Sequence, residues 1–323
     1  MSSCWSLEHG TMDAKQHIRQ CASWVDTATL RDALNAAKEG DALSQRRVAG
    51  AMVWAAFSCP DAIEPTYDVI AAAWLGAGAF PDIPAGLPQA PLEASFWDAF
   101  FSAVDGAEKG YDAASITARV AALGGSVHPS FREISEDCAR RHPGATAALT
   151  NPVPGRTDLE ELGACTDPSL GQTLYRMIVD QGYDLEVLDR EAIALSALPR
   201  SLRYLNTRIL QMHDVWHLVA GYATTASHEI AISAFQLAQF GHNYSAMFLA
   251  TITTISCTLR RAGFGILMQL IAEGWRHGRE TPPMMDIHWE AEWNRPIDAI
   301  RSAYGIPVYR SVLPADLFES IAA

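Results

Sequence analysis

The spacing of apolar residues restricts the fold of this chain more than any other feature. Six stretches place apolar residues three and four positions apart, as an amphipathic helix does. They read LRDALNAAKE, QRRVAGAMVWAAF, SLGQTLYRMIVDQ, SLRYLNTRILQMHDVWHLVAGY, EIAISAFQLAQF and FGILMQLIAEGW. Runs rich in β-branched residues are few, and the pair Asp105-Gly106 does not join two alternating segments as a hairpin turn would. The sequence therefore predicts an all-α fold, a multi-helix bundle.

Charge and apolar content exclude several classes of protein. The 323 residues are 49% hydrophobic, which is enough for a packed core, and the formal net charge is −13. Binding to nucleic acid or to an anionic membrane surface needs clustered cations, so we expect neither. The apolar segment Met247–Leu259 is too short and too rich in threonine and serine to span a bilayer. At most, peripheral contact with lipid is expected.

Cysteine spacing and the first residues bear on the cellular compartment. The six cysteines are scattered without a Cys-x-x-Cys pair, which predicts reduced thiols. Residues 1–17 contain no apolar signal core and carry acidic residues early. These patterns predict a cytoplasmic protein. We also expect a homodimer, because helical proteins with this much apolar surface often bury some of it at a two-fold interface.

Two segments rich in glycine, proline and alanine interrupt the helical pattern. They are Gly76–Ser95 and His142–Thr157. The second is the better candidate for a boundary. It would separate a helical N-terminal region of unknown role (1–145) from a helical C-terminal domain (146–323).

The segment HDVWHLVAGYATTASHE, residues 213–229, has the spacing of a metal site. On a helix, His213 and His217 lie one above the other, so both imidazoles can bind one ion. Asp214 is about 100° round the helix from His213, near enough to be a third ligand or to accept a hydrogen bond from an imidazole. Gly221 permits a turn, after which Glu229 falls near the start of a second helix. Such a donor set suits Zn, Fe, Mn or Co.

A His-x-x-x-His pair alone is weak evidence for a metal, since histidines at helix surfaces are commonly hydrogen-bonded without one. No glutamate follows the first histidine, which disfavours a zinc peptidase.

The motif His213-Asp214-x-x-His217, eleven further residues and Glu229 resembles the His-Asp-x-x-His-x(11)-Glu signature of the coenzyme Q biosynthesis protein 4 family. The helix EIAISAFQLAQFG and the ending WRHGRETPPMMDIHWEAEWNRPIDAIRSAYGI are also similar to that family. The resemblance runs from about Leu170 to Tyr309.

The resemblance implies an all-helical fold and a divalent metal held by His213, Asp214, His217 and Glu229, which would then also be the catalytic residues. It further implies an apolar cavity for a polyprenylated aromatic ring. Members of the family are associated with ubiquinone assembly, as organisers of the biosynthetic enzymes and as agents of oxidative decarboxylation of the ring.

Two residues are weaker candidates for substrate binding. Arg279 could pair with a substrate carboxylate, although a salt bridge to Glu280, Asp286 or another helix is the alternative. Tyr244 could donate a hydrogen bond to a phenolic ring. The apolar residues 235–271 would suit a prenyl tunnel, but an apolar helical stripe is ordinarily core.

Three functions remain open. The first is a metal-dependent enzyme, a decarboxylase or oxidoreductase, acting on a carboxylated hydroxyaromatic ring that is prenylated or belongs to a specialised pathway. The second is a non-catalytic scaffold that binds prenylated quinone precursors for partner enzymes. The third is a structural helical protein with a vestigial site, which the intact set of ligand types disfavours.

Overall fold

The computed structural model describes residues 14–107, 113–186, 190–191 and 194–322. These residues form helices joined by turns and loops, and they contain no β-strand, so the all-α prediction is confirmed. The helices are α1 (14–21), α2 (Thr27–Lys38), α3 (Ala42–Phe57), α4 (Ile63–Leu75), α5 (Ala94–Gly106), α6 (Ala113–Leu123), α7 (Ser130–Arg141), α8 (Ala147–Thr150), α9 (Leu159–Gly163), α10 (Leu170–Gln181), α11 (Arg200–Ala220), α12 (Ala226–Phe240), α13 (Asn243–Leu259), α14 (Phe264–Glu280), α15 (Ile297–Tyr304) and α16 (Leu317–Ala322).

Local sequence explains where the central helices end. Gly221 follows α11 with φ of 82°, and Gly241 follows α12 with φ of 61°. Both angles lie in the left-handed region, which glycine enters without the penalty that a Cβ would bring. The chain therefore stops each helix sharply and turns back, which places α12 beside α11.

A close contact between α12 and α14 fixes the position of α12. A Cβ added at Gly274 of α14 would lie 2.1 Å from the carbonyl oxygen of Ala231, and one at Gly278 would lie 2.7 Å from that of Phe235. The two glycines are one turn apart on one face of α14. They let the two backbones approach, so α12 has little freedom to slide or rotate.

The apolar core lies on both sides of α12. Ala234 and Leu237 of α12 belong to a cluster with α2–α6, α13 and α14. Ile232 and Phe235 belong to a second cluster built from α7–α11, α15 and neighbouring loops. The helix that carries Glu229 is thus packed from two sides.

The N-terminal helices cover the apolar helices that follow the motif. α3 packs against α13, and α4 packs against α14. Most apolar residues between 235 and 271 are buried in this contact, as ordinary core residues are. The division into regions 1–145 and 146–323 stays a prediction.

The described cysteines, Cys21, Cys59, Cys138, Cys165 and Cys257, have free thiols, whereas Cys4 lies outside the described residues. Over the described ranges, none of the helices is both long enough and apolar enough to cross a membrane.

Candidate metal site

Helix α11 presents three of the predicted ligands near its C-terminal end. Met212, Val215 and Trp216 are fully buried, and their burial fixes the rotation of the helix. With that rotation, His213 and Asp214 are partly exposed, whereas His217 is buried. The ligand atoms of His213, Asp214 and His217 all lie within 4.8 Å of one another, a grouping that could hold a metal ion.

Helix α12 places the fourth candidate ligand opposite the histidines of α11. Glu229 lies in its first turn, with its backbone N–H donating to the carbonyl of Thr225 at 2.8 Å. One carboxylate oxygen is 3.3 Å from Nε2 of His213, and the other is 3.2 Å from Nε2 of His217. The two Nε2 atoms are 3.0 Å apart. The motif therefore lies on two adjacent helices, as predicted.

Hydrogen bonds hold both imidazoles in place. Nδ1 of His217 lies 3.2 Å from the carbonyl oxygen of Tyr222. A carbonyl can only accept, so Nδ1 carries a proton, and Nε2 points toward Glu229 and His213. On the other imidazole, the side-chain amide nitrogen of Gln236 donates to Nδ1 of His213 at 2.6 Å. A bond like that of His217 to a carbonyl orients histidine ligands in metalloproteins. The donor set of two imidazoles and two carboxylates fits a divalent ion such as Zn, Fe, Mn or Co.

Burial and charge act in opposite directions on the titration of these groups. Burial lowers the pKa of His213, but the hydrogen bond and the charge of Glu229 outweigh it, so this pKa is raised. Burial would raise the pKa of Glu229, yet its hydrogen bonds to both histidines hold that pKa well below its usual range. For Asp214, burial dominates over the two imidazoles and raises the pKa. Glu229 is therefore the carboxylate that most readily stays ionised.

Arg279 and Tyr244, the two weaker candidates for substrate binding, contact residues of the N-terminal helices. The guanidinium of Arg279 is 2.8 Å from Glu64 and 3.3 Å from Asp68, both on α4. This is the salt bridge to another helix that the sequence left as the alternative. The hydroxyl of Tyr244 donates to the carbonyl of Thr117 at 3.2 Å. A substrate-binding role for either residue stays a prediction.

Two cavities lie away from the motif. One, of about 320 Å³, is bordered by Asp61 and Glu64 on the N-terminal side and by Arg141 and His142 on the other. The second, of about 510 Å³, has Trp54 among its lining residues. None of the four motif residues lines either cavity, so a substrate pocket at the motif stays a prediction.

Sequence comparison relates part of the chain to named proteins. It is 25% identical over 152 residues to the ubiquinone biosynthesis protein COQ4 homolog, mitochondrial, of Mus musculus, covering 46% of this chain and 54% of that protein. It is 26% identical to the ubiquinone biosynthesis protein COQ4, mitochondrial, of Candida albicans strain WO-1, covering 49% and 51%. It is 24% identical to the Homo sapiens homolog, covering 58% and 70%. The chain thus spans about half the length of the mouse and Candida relatives.

The prediction of a cytoplasmic protein is wrong in its plain form. The matched relatives from mouse, Candida albicans and human are all named mitochondrial. The cytoplasmic prediction rested on the scattered cysteines and on residues 1–17, of which residues 1–13 lie outside the described residues. Neither the cysteine pattern nor the composition of a short terminal segment was enough to assign a compartment.

The family model described as coenzyme Q (ubiquinone) biosynthesis protein Coq4 matches residues 107–309. This is more than half of the chain, and it includes His213, Asp214, His217 and Glu229. The protein therefore belongs to the coenzyme Q (ubiquinone) biosynthesis protein Coq4 family.

Proposed function

We propose that this protein is a metal-dependent enzyme of ubiquinone-type or related aromatic biosynthesis, and that it decarboxylates a carboxylated hydroxyaromatic ring. The observation that carries the proposal is the convergence of four donors. Both carboxylate oxygens of Glu229 face the Nε2 atoms of His213 and His217, at 3.3 and 3.2 Å. Asp214 joins the two imidazoles in one compact group.

The chain's own residues hold this arrangement. The backbone carbonyl of Tyr222 accepts a hydrogen bond from Nδ1 of His217, so Nε2 is the ring nitrogen that would bind the metal. Gln236 holds the ring of His213. The partial exposure of His213 and Asp214 opens the site on one side, where a ligand can approach.

A divalent ion at these four residues would supply electrostatic stabilisation for the negative charge that develops as carbon dioxide leaves the ring. Simple decarboxylation replaces the carboxylate by a proton. Oxidative decarboxylation replaces it by a hydroxyl group, which is a two-electron oxidation of the ring: with dioxygen as the oxidant and water as the source of the hydroxyl oxygen, the products are the phenol, carbon dioxide and hydrogen peroxide. This route would need a redox-active metal such as iron, which zinc cannot replace.

The proposal also includes its partners. The substrate is an aromatic or polyprenylated aromatic molecule, other biosynthetic enzymes are partners, and the protein acts as a homodimer. Size-exclusion chromatography with light scattering tests the dimer, because a monomer at working concentration contradicts it.

The activity test uses a hydroxyaromatic ring with a carbon-13 carboxylate, with and without a prenyl chain. We expect labelled carbon dioxide from metal-loaded protein and none after the metal is removed by a chelator. Glu229→Gln keeps the shape of the side chain but removes its charge. The release of labelled carbon dioxide by this variant should fall at least about tenfold, because removing a group that supports a metal site typically costs about that much activity. Glu280→Gln changes an exposed glutamate of α14 and should match the unaltered protein.

The second candidate, a non-catalytic scaffold, draws on the same contacts. Glu229 bonds to both imidazoles, so the charges can satisfy one another as a structural network. Metal-loaded protein that binds the labelled ring but releases no carbon dioxide, under air and with iron present, would favour the scaffold.

A further inference from the structure

The backbone of Tyr222 is tied to His217 at two points. Its N–H donates to the carbonyl of His217 at 2.9 Å, and its own carbonyl is 3.2 Å from Nδ1 of that imidazole. Gly221 between them has φ of 82°, and a Cβ there would lie 2.5 Å from Val308. The orientation of the imidazole therefore depends on where the main chain at Tyr222 is held.

The side chain of Tyr222 ends at a second buried histidine. Its hydroxyl is 2.7 Å from Nδ1 of His277, and Nε2 of His277 is 3.0 Å from the carbonyl oxygen of Pro307. The carbonyl of Pro307 can only accept, so Nε2 of His277 carries the proton. Nδ1 of His277 must then accept from the tyrosine hydroxyl. One tautomer of His277 satisfies both bonds.

Ring packing leaves Tyr222 a single position. Its ring stacks on that of Tyr309, with centroids 4.3 Å apart and planes at 20°. The backbone N–H of Tyr309 donates to the carbonyl of Ala220 at 2.8 Å. The hydroxyl of Tyr222 is the polar end of an otherwise apolar, stacked side chain, and its bond to His277 sets the direction in which that side chain points.

We propose that Tyr222 and His277 are a positioning pair for the metal site: the hydrogen bond between their side chains holds the Tyr222 carbonyl where it orients His217. This inference rests on the proposed function, because it assumes that His217 binds a metal. Neither residue is a ligand. His277 is 60 positions from His217 in the chain and acts on it only through Tyr222.

The experiment is a titration of the full-length protein with Co²⁺, followed by competition with a chelator and by visible absorption. Tyr222→Phe removes one hydroxyl and keeps the stacked ring. His277→Phe keeps an aromatic ring against Phe235 and removes both of its hydrogen bonds. The double variant combines them. Tyr304→Phe is the matched control, because it removes a tyrosine hydroxyl that donates to Glu292 at 2.9 Å, outside this network.

We expect each single variant to bind Co²⁺ about tenfold more weakly, as losing a group that orients a histidine ligand typically does. The double variant should bind Co²⁺ no more weakly than the single variant with the lower affinity, because both substitutions remove the same hydrogen bond. The visible spectrum of bound Co²⁺ should change in all three, and Tyr304→Phe should match the unaltered protein.

A purely structural role would lower the melting temperature of the variants but leave the affinity and the spectrum unchanged, and that result overturns the inference. If the unaltered protein binds no Co²⁺, Zn²⁺ or Fe²⁺, the proposed function fails, and the inference fails with it. If His277→Phe does not fold, Tyr222→Phe decides alone, because it changes only one oxygen atom.

Discussion

At the scale of single residues, each donor of the candidate site faces the others for a separate reason. His213 and His217 are adjacent because residues four apart share a helix face. Asp214 is turned by about 100° and reaches the same side through its carboxylate. Glu229 comes from another helix, and its two oxygens are divided between the imidazoles. The site thus needs both helices in register.

Asp214→Asn tests whether the second carboxylate is a ligand. The substitution keeps the size of the side chain and removes its charge, so we expect Zn²⁺ affinity to fall by at least about tenfold. Asp298→Asn is the matched control, since Asp298 is 91% exposed and pairs with Arg301, three residues along the same helix. Equal Zn²⁺ affinities of the two variants in a chelator competition assay would remove Asp214 from the ligand set.

The sequence predicts the candidate ligands better than the residues that support them. A spacing of four on a helix is a local pattern, so His213 and His217 can be recognised directly. Gln236 lies seven residues after Glu229, two turns along the same helix, and that spacing indicates that both side chains share one helix face. Tyr222 and His277 are brought together by the packing of α14 and the loop after α15, for which no local pattern exists.

At the scale of elements, the contact between α12 and α14 determines where Glu229 lies. The sequence predicts that both helices exist, because apolar periodicity is local. It does not say which helices touch, although Gly274 and Gly278, four residues apart, are typical of a face that approaches another backbone. The apolar stretch considered as a prenyl tunnel is largely covered by α3 and α4. Periodicity alone cannot distinguish a core face from a ligand channel.

Gly274→Ala should destabilise the protein. The new methyl group would lie 2.1 Å from the carbonyl oxygen of Ala231, so α12 and α14 must separate. We expect the free energy of unfolding to fall by about 1–3 kcal/mol, the usual cost of overpacking. Gly265→Ala is the control on the same helix, because nothing lies within 4 Å of its added Cβ.

For Gly265→Ala, the higher helix propensity of alanine should leave stability unchanged or raise it by up to about 1 kcal/mol. Urea unfolding of both variants measures the difference. If Gly274→Ala is as stable as Gly265→Ala, the close approach of α14 to α12 at Gly274 does not hold α12 in position.

At the scale of the whole molecule, the helices before residue 107 are packed onto the part that the family model matches. Trp275 of α14 donates to Asp68 of α4 at 2.8 Å, and Arg279 pairs with the same carboxylate. Burial raises the pKa of Asp68 despite these partners. This polar contact lies beside the apolar packing of α3 and α4, so the N-terminal helices share a core with the candidate site's scaffold.

Buried histidines predict that acid destabilises the molecule. Burial, assisted by the charge of His213, lowers the pKa of His242 to about 3. Burial also lowers the pKa of His277, although its bond to Pro307 opposes this. Unfolding exposes both side chains near their ordinary pKa, so the unfolded chain binds more protons below about pH 6.5.

The contribution of these two histidines to stability should therefore be fully present above about pH 6.5 and fall as the pH decreases, by about 1.4 kcal/mol per pH unit for each histidine that stays neutral in the folded state. Urea unfolding between pH 7.5 and 5 measures this slope. His242→Gln should flatten the slope, whereas His288→Gln should not, because the side chain of His288 is 80% exposed. An unchanged slope in His242→Gln would contradict the claim that buried His242 contributes to the loss of stability in acid.

The central claim is that α11 and α12 together bind one divalent transition metal. Elemental analysis of the purified protein, beside His217→Ala and the exposed-site control His288→Ala, tests it most directly. The account predicts close to one equivalent of zinc, iron, manganese or cobalt in the unaltered protein and in His288→Ala, and almost none in His217→Ala. Equal metal content in all three proteins, or none in any of them after exposure to these metals, would contradict it.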